Sequence, residues 1–307
     1  MCANCGCQGD KAVVLDLQTG ETTTMATLHQ SHSGHSHTHD HTHHHHGPHQ
    51  HASDGHAHTH DHTHQHHGPH QHASDGHAPA QNPGVSIVDV EARILAKNDA
   101  LAARNRAWFA GREILALNLV SSPGAGKTTL LERTIRDLAG ELPLYVIEGD
   151  QATACDGERV RRAGAPVVQV NTGTGCHLDA EMIARALTAL KPAPGAVLLI
   201  ENVGNLVCPA LFDLGERAKI VIFSVTDGED KPLKYPHMFR AATIVILNKV
   251  DLLPYLDFSL AKAIGNVRQL NPEAIILQMS SRNGEGTVDW YDWLRTQFVL
   301  ARQSAFA

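Results

Sequence analysis

Seven short apolar segments recur along residues 114–280, with amphipathic stretches between them. Their sequences are ILALNLV (114–120), PLYVIE (143–148), PVVQVN (166–171), AVLLIEN (196–202), KIVIFSVT (219–226), TIVILNK (243–249) and AIILQMS (274–280). Near-continuous apolar strands that alternate with helices are typical of a parallel sheet covered on both faces. The pattern therefore predicts a doubly wound, mostly parallel α/β domain, in which ligands bind outside the carboxyl ends of the strands.

Upstream of the first strand, residues 85–111 have the spacing of a long amphipathic helix that ends near Gly111. Residues 31–83, in contrast, contain no Leu, Ile, Val, Phe, Tyr or Trp. Such a segment cannot bury enough apolar surface to offset the entropy of ordering it. We therefore predict a disordered N-terminal metal-binding arm over 1–85 and a folded domain over 86–307.

Histidine dominates the predicted arm, since 22 of the 24 histidines lie between His29 and His77. The segment is a direct duplication: residues 37–57 recur as 58–78 with one difference, His44 becoming Gln65. A repeat without apolar residues has nothing to stack, which excludes a solenoid. A tag or a simple linker explains neither the duplicated unit nor the imidazoles. The composition favours a metal-binding tract with many equivalent weak sites.

Charge and cysteine content narrow the class of protein. The formal net charge is −7 and the chain has no basic block, which argues against a nucleic-acid partner. The sequence shows no signal peptide and no run of about 18 apolar residues, so we expect a cytoplasmic protein without a membrane span. Thiols stay reduced in that compartment, so the six cysteines suggest metal binding or core positions rather than disulfides.

A phosphate-binding loop follows the first predicted strand, in the sequence SSPGAGKTTL. It matches the Walker A scheme except that Ser121 stands where the first glycine is usual. Glycines let the backbone N–H groups surround phosphates at a helix N-terminus, the lysine reaches the β and γ oxygens, and the threonine hydroxyl holds Mg²⁺. The residues expected to bind the nucleotide here are Gly124, Ala125, Gly126, Lys127, Thr128 and Thr129.

The segment LNKVD at the end of the sixth strand indicates which base is bound. Asp251 can accept two hydrogen bonds from the N1–H and the exocyclic amine of guanine, whereas adenine would leave the carboxylate unpaired. Asn248 and Lys249 would hold the loop and stack on the base. At the next strand end, Ser280 and Ser281 lie where backbone N–H groups can reach the guanine oxygen. The expected nucleotide is GTP.

The acidic residues at two other strand ends are candidates for the hydrolysis machinery. EGD ends at Asp150, and LLIENVG contains Glu201 three residues before Gly204, an arrangement that resembles a γ-phosphate sensor. Asp150 and Glu201 are our candidates for holding Mg²⁺ or its waters, with Lys127 as the third catalytic group. Asp150 or Asp156 is the candidate for orienting the attacking water, and an alternative for all three acids is a helix N-cap.

Two further cysteines lie at strand ends, where ligands gather. Cys176 adjoins His177 after the third strand, and Cys208 lies seven residues past Glu201. Two thiolates and an imidazole make a plausible site for Zn²⁺ or Ni²⁺, and any movement of the Glu201 segment on hydrolysis would move a ligand. Cys155 has no such partner in sequence and is interpreted as structural.

Taken together, these motifs resemble the nickel-insertion GTPases of hydrogenase maturation, the HypB family of SIMIBI-class P-loop GTPases. The resemblance rests on CxxCGC (Cys2, Cys5, Cys7), the histidine tract, SSPGAGKTTLL, EGD, NTGTGCHLD, IENVGNLVCPA and NKVDLLP. Urease-type nickel GTPases of the UreG family share the nucleotide loop. They lack the cysteine trio, however, and use a Cys-Pro-His motif absent here.

The resemblance implies a P-loop GTPase that forms a homodimer when GTP-bound, with Cys176, His177 and Cys208 at or near the dimer face. It also implies delivery of nickel to the large subunit of [NiFe]-hydrogenase, with the zinc-containing protein HypA as partner. Cys2, Cys5 and Cys7 are implied to form a tight nickel site. The histidine tract is implied to store nickel.

Other interpretations stay open at this point. The chain could be a nickel storage and buffering protein, a urease-type nickel GTPase, or a signalling GTPase that responds to nickel. The first seven residues alone also allow a redox pair or a zinc knuckle. A redox pair normally sits on a βαβ scaffold, whereas three thiolates with a nitrogen donor suit a square-planar Ni²⁺. We therefore expect the three N-terminal cysteines to form the nickel-binding end of the arm, and the histidine tract to separate them from the GTPase domain.

Overall fold

Parallel strands form most of the sheet in the computed structural model, which describes residues 12–24, 87–151 and 155–303. Within these ranges nine strands form one sheet, in the order β2-β1-β5-β4-β6-β3-β7-β8-β9. The strands are β1 (Val13–Asp16), β2 (Thr22–Thr24), β3 (Leu115–Ser121), β4 (Leu144–Asp150), β5 (Val167–Asn171), β6 (Val197–Glu201), β7 (Ala218–Ser224), β8 (Ile244–Asn248) and β9 (Ile275–Met279).

The seven strands predicted from the apolar segments are all present, and they are mutually parallel. β3 lies inside the sheet between β6 and β7, so the loop that follows it is flanked by the loops after those two strands. Every residue of β3 and β7 is buried, as expected of strands covered on both faces. The predicted doubly wound, mostly parallel fold is confirmed.

Helices cover both faces of the sheet. They are α1 (Ile87–Ala110), α2 (Lys127–Asp137), α3 (Cys155–Ala163), α4 (Ala180–Leu190), α5 (Lys231–Lys234), α6 (Pro236–Ala241), α7 (Leu260–Leu270) and α8 (Thr287–Gln303). α2 and α8 pack on one face through Leu130 and Trp290, while α4 packs on the other through Ile183. Within the described ranges, no helix has the length and apolar character needed to cross a membrane.

The N-terminal hairpin β1–β2 differs from the predicted arm over 1–85. β1 pairs antiparallel with β5, placing Val13 opposite Asn171 and Val14 opposite Val170. Val14 is 3% exposed, so β1 buries this apolar side chain where it pairs with β5 at the edge of the parallel strands. The described residues 12–24 therefore belong to the unit that contains residues 87–303.

This placement also corrects the expected order of the arm. The histidine tract lies between β2 and α1, whereas Cys2, Cys5 and Cys7 precede β1, so the tract does not separate the cysteines from the sheet. The cysteine trio and the duplicated histidine unit lie outside the described residues. The predicted metal-binding roles of both stay predictions.

Candidate nucleotide and metal site

The loops at the carboxyl ends of the strands enclose a cleft of about 660 Å³. The loop after β3 forms one wall, and the ends of β4 and β6 form another. The cleft is lined by Pro123, Gly124, Gly126, Lys127, Thr128, Thr129, Glu148, Gly149, Asp150, Gln151, Asp156, Arg159, Cys176, Glu201, Asn202, Val203, Gly204 and Asn205. Candidate phosphate and Mg²⁺ ligands predicted separately from the sequence thus line one cleft, together with Cys176 of the predicted soft-metal site.

The phosphate loop has the left-handed backbone that its glycines allow. Gly124 has φ 73° and Gly126 has φ 101°, values that side-chain-bearing residues rarely adopt. A Cβ at Gly126 would also lie 2.5 Å from the Asn248 side-chain nitrogen. The Lys127 ammonium donates to the Ser121 hydroxyl at 2.8 Å, so the serine in the usual glycine position holds the lysine at the base of the loop.

Asn248 joins the phosphate loop to the loop after β9. Its amide nitrogen donates to the Ala125 carbonyl at 2.9 Å. Its oxygen accepts from the backbone N–H of Ser281 at 3.0 Å and from the Ser281 hydroxyl at 2.9 Å. Lys249 donates to the Gly124 carbonyl at 2.7 Å. The loops after β3, β8 and β9 are therefore joined around the predicted base pocket, as expected if Asn248 and Lys249 hold the nucleotide-binding loops in place.

Asp251 carries an unsatisfied acceptor beside this junction. Its Oδ1 is buried and accepts no hydrogen bond within the described structure. Buried polar atoms are normally paired, so an atom of this kind points to a missing donor. Ser280, fully buried, accepts from the Asn283 N–H at 3.3 Å and shapes the adjacent loop. The arrangement suits a base that presents N–H donors, as guanine does.

Two buried glutamates face each other across β4 and β6. Glu148 and Glu201 are register partners and are 2% and 3% exposed. The Thr128 hydroxyl donates to Glu201 at 2.7 Å, while Oε2 of each glutamate accepts no hydrogen bond in the described structure. Such a set of oxygens fits a hard divalent cation, which would balance the charge of the carboxylates and pair these oxygens.

The same burial displaces the pKa values of the charged groups. Loss of solvation, then the neighbouring Glu201, raise the pKa of Glu148 to about 9. Burial raises the pKa of Glu201 to about 7, although Lys127 and the Thr128 hydrogen bond oppose it. Burial lowers the pKa of Lys127, against the attraction of Glu201. The carboxyl pair therefore holds at least one proton at neutral pH until a cation compensates its charge.

Asp150 and Asp156, the predicted water-orienting candidates, both line the cleft. Asp150 accepts from the Gln151 N–H at 2.7 Å. Asp156, in the first turn of α3, accepts from Arg159 at 2.9 Å, and Arg159 also donates to Glu132 at 2.8 Å. Both carboxylates line the same cleft as the phosphate loop. Asp156 is the second residue of α3 and so does not occupy the N-cap position that the sequence also allowed.

Cys176, His177 and Cys208 come together as predicted. Their ligand atoms all lie within 4.8 Å of one another; the two Sγ atoms are 2.8 Å apart, and His177 Nδ1 is 3.7 Å from Cys176 Sγ. The His177 ring packs against Phe212 with centroids 3.9 Å apart. Burial lowers the pKa of His177, which favours the neutral imidazole that binds metals. The cluster fits a thiophilic cation such as Zn²⁺ or Ni²⁺.

The segment 201–208 links this cluster to the carboxylates. Glu201 ends β6, and Cys208 begins a short 3₁₀ turn seven residues later. Between them, Asn205 donates to the Cys176 carbonyl at 3.2 Å and accepts from the Val207 N–H at 2.8 Å. One short segment therefore bonds to the phosphate side at its start and carries a thiol at its end.

Three features of the site were missed or misjudged in the sequence. Glu148 lies inside the EGD motif, but only the pairing of β4 with β6 shows that it meets Glu201. Arg159 lines the cleft through the fold of α3, and no motif marks it. Cys155, interpreted as structural, is instead exposed at the first residue of α3.

Comparison with known protein families gives a match that spans most of the sheet. Residues 115–278 match the family described as CobW/HypB/UreG, nucleotide-binding domain. This range includes the phosphate loop, both glutamates, the Cys176, His177 and Cys208 cluster and Asn248.

Individual relatives and solved structures extend the match. The chain is 57% identical over 218 residues to hydrogenase maturation factor HypB of Escherichia coli K12, covering 70% of this chain and 75% of that protein. It is 41% identical over 220 residues to hydrogenase/urease maturation factor HypB of Helicobacter pylori, with 69% and 90% covered. Crystal structures of HypB from Archaeoglobus fulgidus and of nickel-bound HypB from H. pylori each match at a TM-score of 0.62 and 39% identity. Both matches cover 66% of this chain, and they cover 99% and 95% of the respective structures.

Proposed function

The chain belongs to the HypB family of hydrogenase maturation factors, which are P-loop GTPases, and from this premise we propose that it uses GTP hydrolysis to deliver nickel. The recipient is the large subunit of a [NiFe]-hydrogenase. The observation that carries the proposal is the single segment 201–208, which contacts Thr128 through Glu201 and supplies Cys208 to the soft-metal cluster. A nucleotide-dependent movement of Glu201 therefore reaches a metal ligand.

In the nucleotide step, the described residues bind and orient GTP. The phosphate-loop N–H groups and Lys127 hold the phosphates, and Asp251, with its unpaired Oδ1, receives the guanine N–H donors. Thr128 and Glu201 would hold Mg²⁺, with Glu148 beside them; bound Mg²⁺ neutralises charge on the β and γ oxygens. Asp150 or Asp156 orients the attacking water.

Nickel is the cargo of the proposed reaction rather than a resident cofactor. Cys176, His177 and Cys208 form the site at which its affinity changes with nucleotide state, and Zn²⁺ is the alternative occupant. The solved H. pylori relative contains nickel, which supports this choice. Cys2, Cys5 and Cys7 form the tight nickel site, and the histidine tract stores further ions.

The proposed partners follow from the same cycle. GTP-bound chains form a homodimer near the Cys176, His177 and Cys208 cluster, and a HypA-type zinc protein exchanges nickel with it. In a nucleotide switch of this kind, contacts to the γ-phosphate hold one loop arrangement, and hydrolysis of GTP allows another.

The direct test is a comparison of Ni²⁺ affinity between the GDP form and the form bound to Mg²⁺ and a non-hydrolysable GTP analogue. A Cys208→Ser chain measured in parallel gives the contribution of the N-terminal sites. We expect the affinity of the cluster to differ by about fivefold or more between the two states. Equal affinities would remove the coupling, and size-exclusion chromatography with metal analysis of the same samples reports dimer formation.

Nickel storage is the second candidate function, and the duplicated histidine unit is the observation that favours it. Deletion of residues 29–78 discriminates the two, because it leaves β1 and β2 in the chain. Failure of hydrogenase maturation even with ample nickel would make storage central. Failure only when nickel is scarce would make the tract an auxiliary buffer. A urease-type role would instead require restored urease maturation in cells that lack their own nickel GTPase.

A further inference from the structure

Asn118 interrupts the apolar strand β3 at its centre and is fully buried, with neighbours Leu117 and Leu119 also at 0% exposure. It contacts neither the phosphate loop nor the soft-metal cluster directly. Burying an amide is costly unless its hydrogen bonds are satisfied. The partners of Asn118 therefore decide why a polar side chain occupies this position.

On one side Asn118 bonds to the residue that follows Glu201. Its oxygen accepts from the Asn202 side-chain nitrogen at 3.2 Å. Asn202 is 1% exposed, and its own oxygen accepts from the backbone N–H groups of Val203 at 3.0 Å and Leu178 at 3.1 Å. Leu178 directly follows His177. Asn202 thus holds the start of the 201–208 segment together with the loop that carries Cys176 and His177.

On the other side Asn118 bonds to Glu216, donating to its carboxylate at 3.0 Å. That carboxylate lies 3.8 Å from the ammonium of Lys219, the β7 register partner of Asn118. Lys219, 8% exposed, donates to the Pro209 carbonyl at 2.8 Å and to the Phe212 carbonyl at 3.4 Å. These two carbonyls belong to the turn after Cys208 and to the residue that packs on His177.

The result is a continuous buried polar network with a metal-ligand segment at each end. We call it the Asn118 network: Asn118, Asn202, Glu216 and Lys219. Buried ion pairs of this kind often add little stability compared with apolar side chains of the same volume. Their geometric demands are strict, however, because each donor and acceptor must stay paired as the chain moves.

We propose that Asn118 is a positioning residue that transmits displacement of the Glu201 segment to both sides of the Cys176, His177 and Cys208 cluster. The proposal rests on the nucleotide-coupled metal binding proposed above. When Glu201 shifts on nucleotide exchange, Asn202 moves with it, and the network carries the shift to the Lys219-held turn at Cys208. The two segments then move together, which changes the spacing of the Cys176 and Cys208 thiolates and hence the metal affinity.

The test measures Ni²⁺ affinity of the full chain in the GDP and GTP-analogue forms, before and after Asn118→Ala. Ligation is followed by thiolate-to-nickel charge-transfer absorbance, and the Cys208→Ser chain supplies the background from the N-terminal sites. We expect the affinity ratio between the two forms to fall to about one in Asn118→Ala, while GTP affinity changes by less than about threefold. A ratio retained at the wild-type value would overturn the proposal.

Asn271→Ala is the matched control, because the Asn271 side chain at the end of α7 also donates to two carbonyls, those of Phe239 and Ala242 at the end of α6, outside the network. It should keep the wild-type ratio despite a similar loss of stability. If Asn118→Ala does not fold, Lys219→Met provides the second variant, since it keeps the side-chain stem and removes both donations to the Cys208 turn. It should also bring the ratio to about one.

The outcomes separate the two levels of the proposal. Equal affinities in the wild-type chain would refute the proposed coupling itself. A normal wild-type ratio that survives both Asn118→Ala and Lys219→Met would refute only the role of the network. If both single variants abolish the ratio, the double variant should cause no further change, because the two residues act in one chain of contacts.

Discussion

The nucleotide side and the metal side of the cleft are built differently. On the nucleotide side, Lys127, Asn248 and Ser281 are nearly fully buried. Lys127 is hydrogen-bonded within the phosphate loop, and Asn248 joins that loop to Ser281. On the metal side, Cys176, His177 and Cys208 are each half-buried. The Asn202 side chain accepts from the Leu178 N–H, and the Asn205 side chain donates to the Cys176 carbonyl.

This difference indicates a division of labour. A site whose loops are locked together binds its ligand with little rearrangement, whereas half-buried ligands can change their spacing when the segment that carries them shifts. We infer that the phosphate loop and the base-binding loops stay fixed while the Glu201 segment and the soft-metal cluster respond. The predictions below test whether the two sides are separable.

The largest expected effect is that of Lys127→Ala on the nucleotide side. Loss of the ammonium removes the charge that faces the β and γ oxygens, so we expect GTP hydrolysis to fall at least about 100-fold. The Cys176, His177 and Cys208 cluster should keep its metal affinity in the nucleotide-free chain. Steady-state phosphate release and metal competition measure the two quantities; a parallel loss of metal binding would show that the two sides form one folding unit.

Asp251→Asn should change base selection on the nucleotide side. The amide introduced by this substitution would place an N–H donor against the guanine amine. The buried groups left unpaired would cost about 1–3 kcal/mol of binding free energy. GTP affinity should fall by about 10- to 100-fold, and xanthosine triphosphate, which has an oxygen in place of that amine, should bind better. Competition against a fluorescent nucleotide measures both affinities. An unchanged preference would place the base elsewhere in the cleft.

Cys208→Ser should affect the metal side alone. Replacing one of three soft ligands should weaken Ni²⁺ or Zn²⁺ binding at the cluster by at least about tenfold. Hydrolysis by the metal-free protein should change by less than about twofold, with Cys155→Ser as the control thiol because it is exposed and outside the cluster. Reduced hydrolysis without metal would contradict the separation of the two sides.

The smallest expected effect is a pH dependence of stability caused by Glu148. Its folded-state pKa of about 9 lies above the ordinary 4.5, so the folded chain keeps a proton that the unfolded chain releases. Stability should therefore fall as pH rises from about 5 to 9. Glu148→Gln removes this dependence and should raise the unfolding temperature at pH 8 by about 4 °C, corresponding to about 1–2 kcal/mol.

The control for Glu148→Gln is pH 4.5, where wild type and variant should unfold at similar temperatures. Saturating Mg²⁺ and GTP analogue should shrink the difference at pH 8, because a bound cation stabilises the ionised pair. A temperature difference that does not widen with pH would mean that Glu148 is not protonated in the folded chain.

The sequence predicts the nucleotide side well because its demands are local. A strand, a glycine loop and a helix in order place Lys127 and Thr128, and a buried strand that ends in LNKVD places Asp251 at the same edge of the sheet. The cluster of Cys176, His177 and Cys208 was also predicted, since both segments follow parallel strands.

What the sequence did not predict depends on contacts between distant segments. The Glu148 and Glu201 pair requires knowing that β4 and β6 are neighbours, which strand order alone decides. Asn118 belongs to no recognised motif, and its role is indicated only by its hydrogen bonds to Asn202 and Glu216. The hairpin β1–β2 was missed because its seven strand residues include three threonines and few apolar positions, so its placement depends on the open edge of β5.

The register of that hairpin fixes the point from which the chain leads back to the N-terminal cysteines. Val13 pairs with Asn171, at the end of β5 from which the chain continues to Cys176. Cys7 lies six residues before Val13, and a fully extended chain of that length spans about 20 Å. The chain length therefore tethers Cys7 within about 20 Å of Val13, which is paired with the end of the strand that leads to Cys176. A short tether gives an effective concentration on the order of millimolar, so the proposed transfer of an ion between Cys7 and the Cys176, His177 and Cys208 cluster would be intramolecular, at a rate independent of protein concentration.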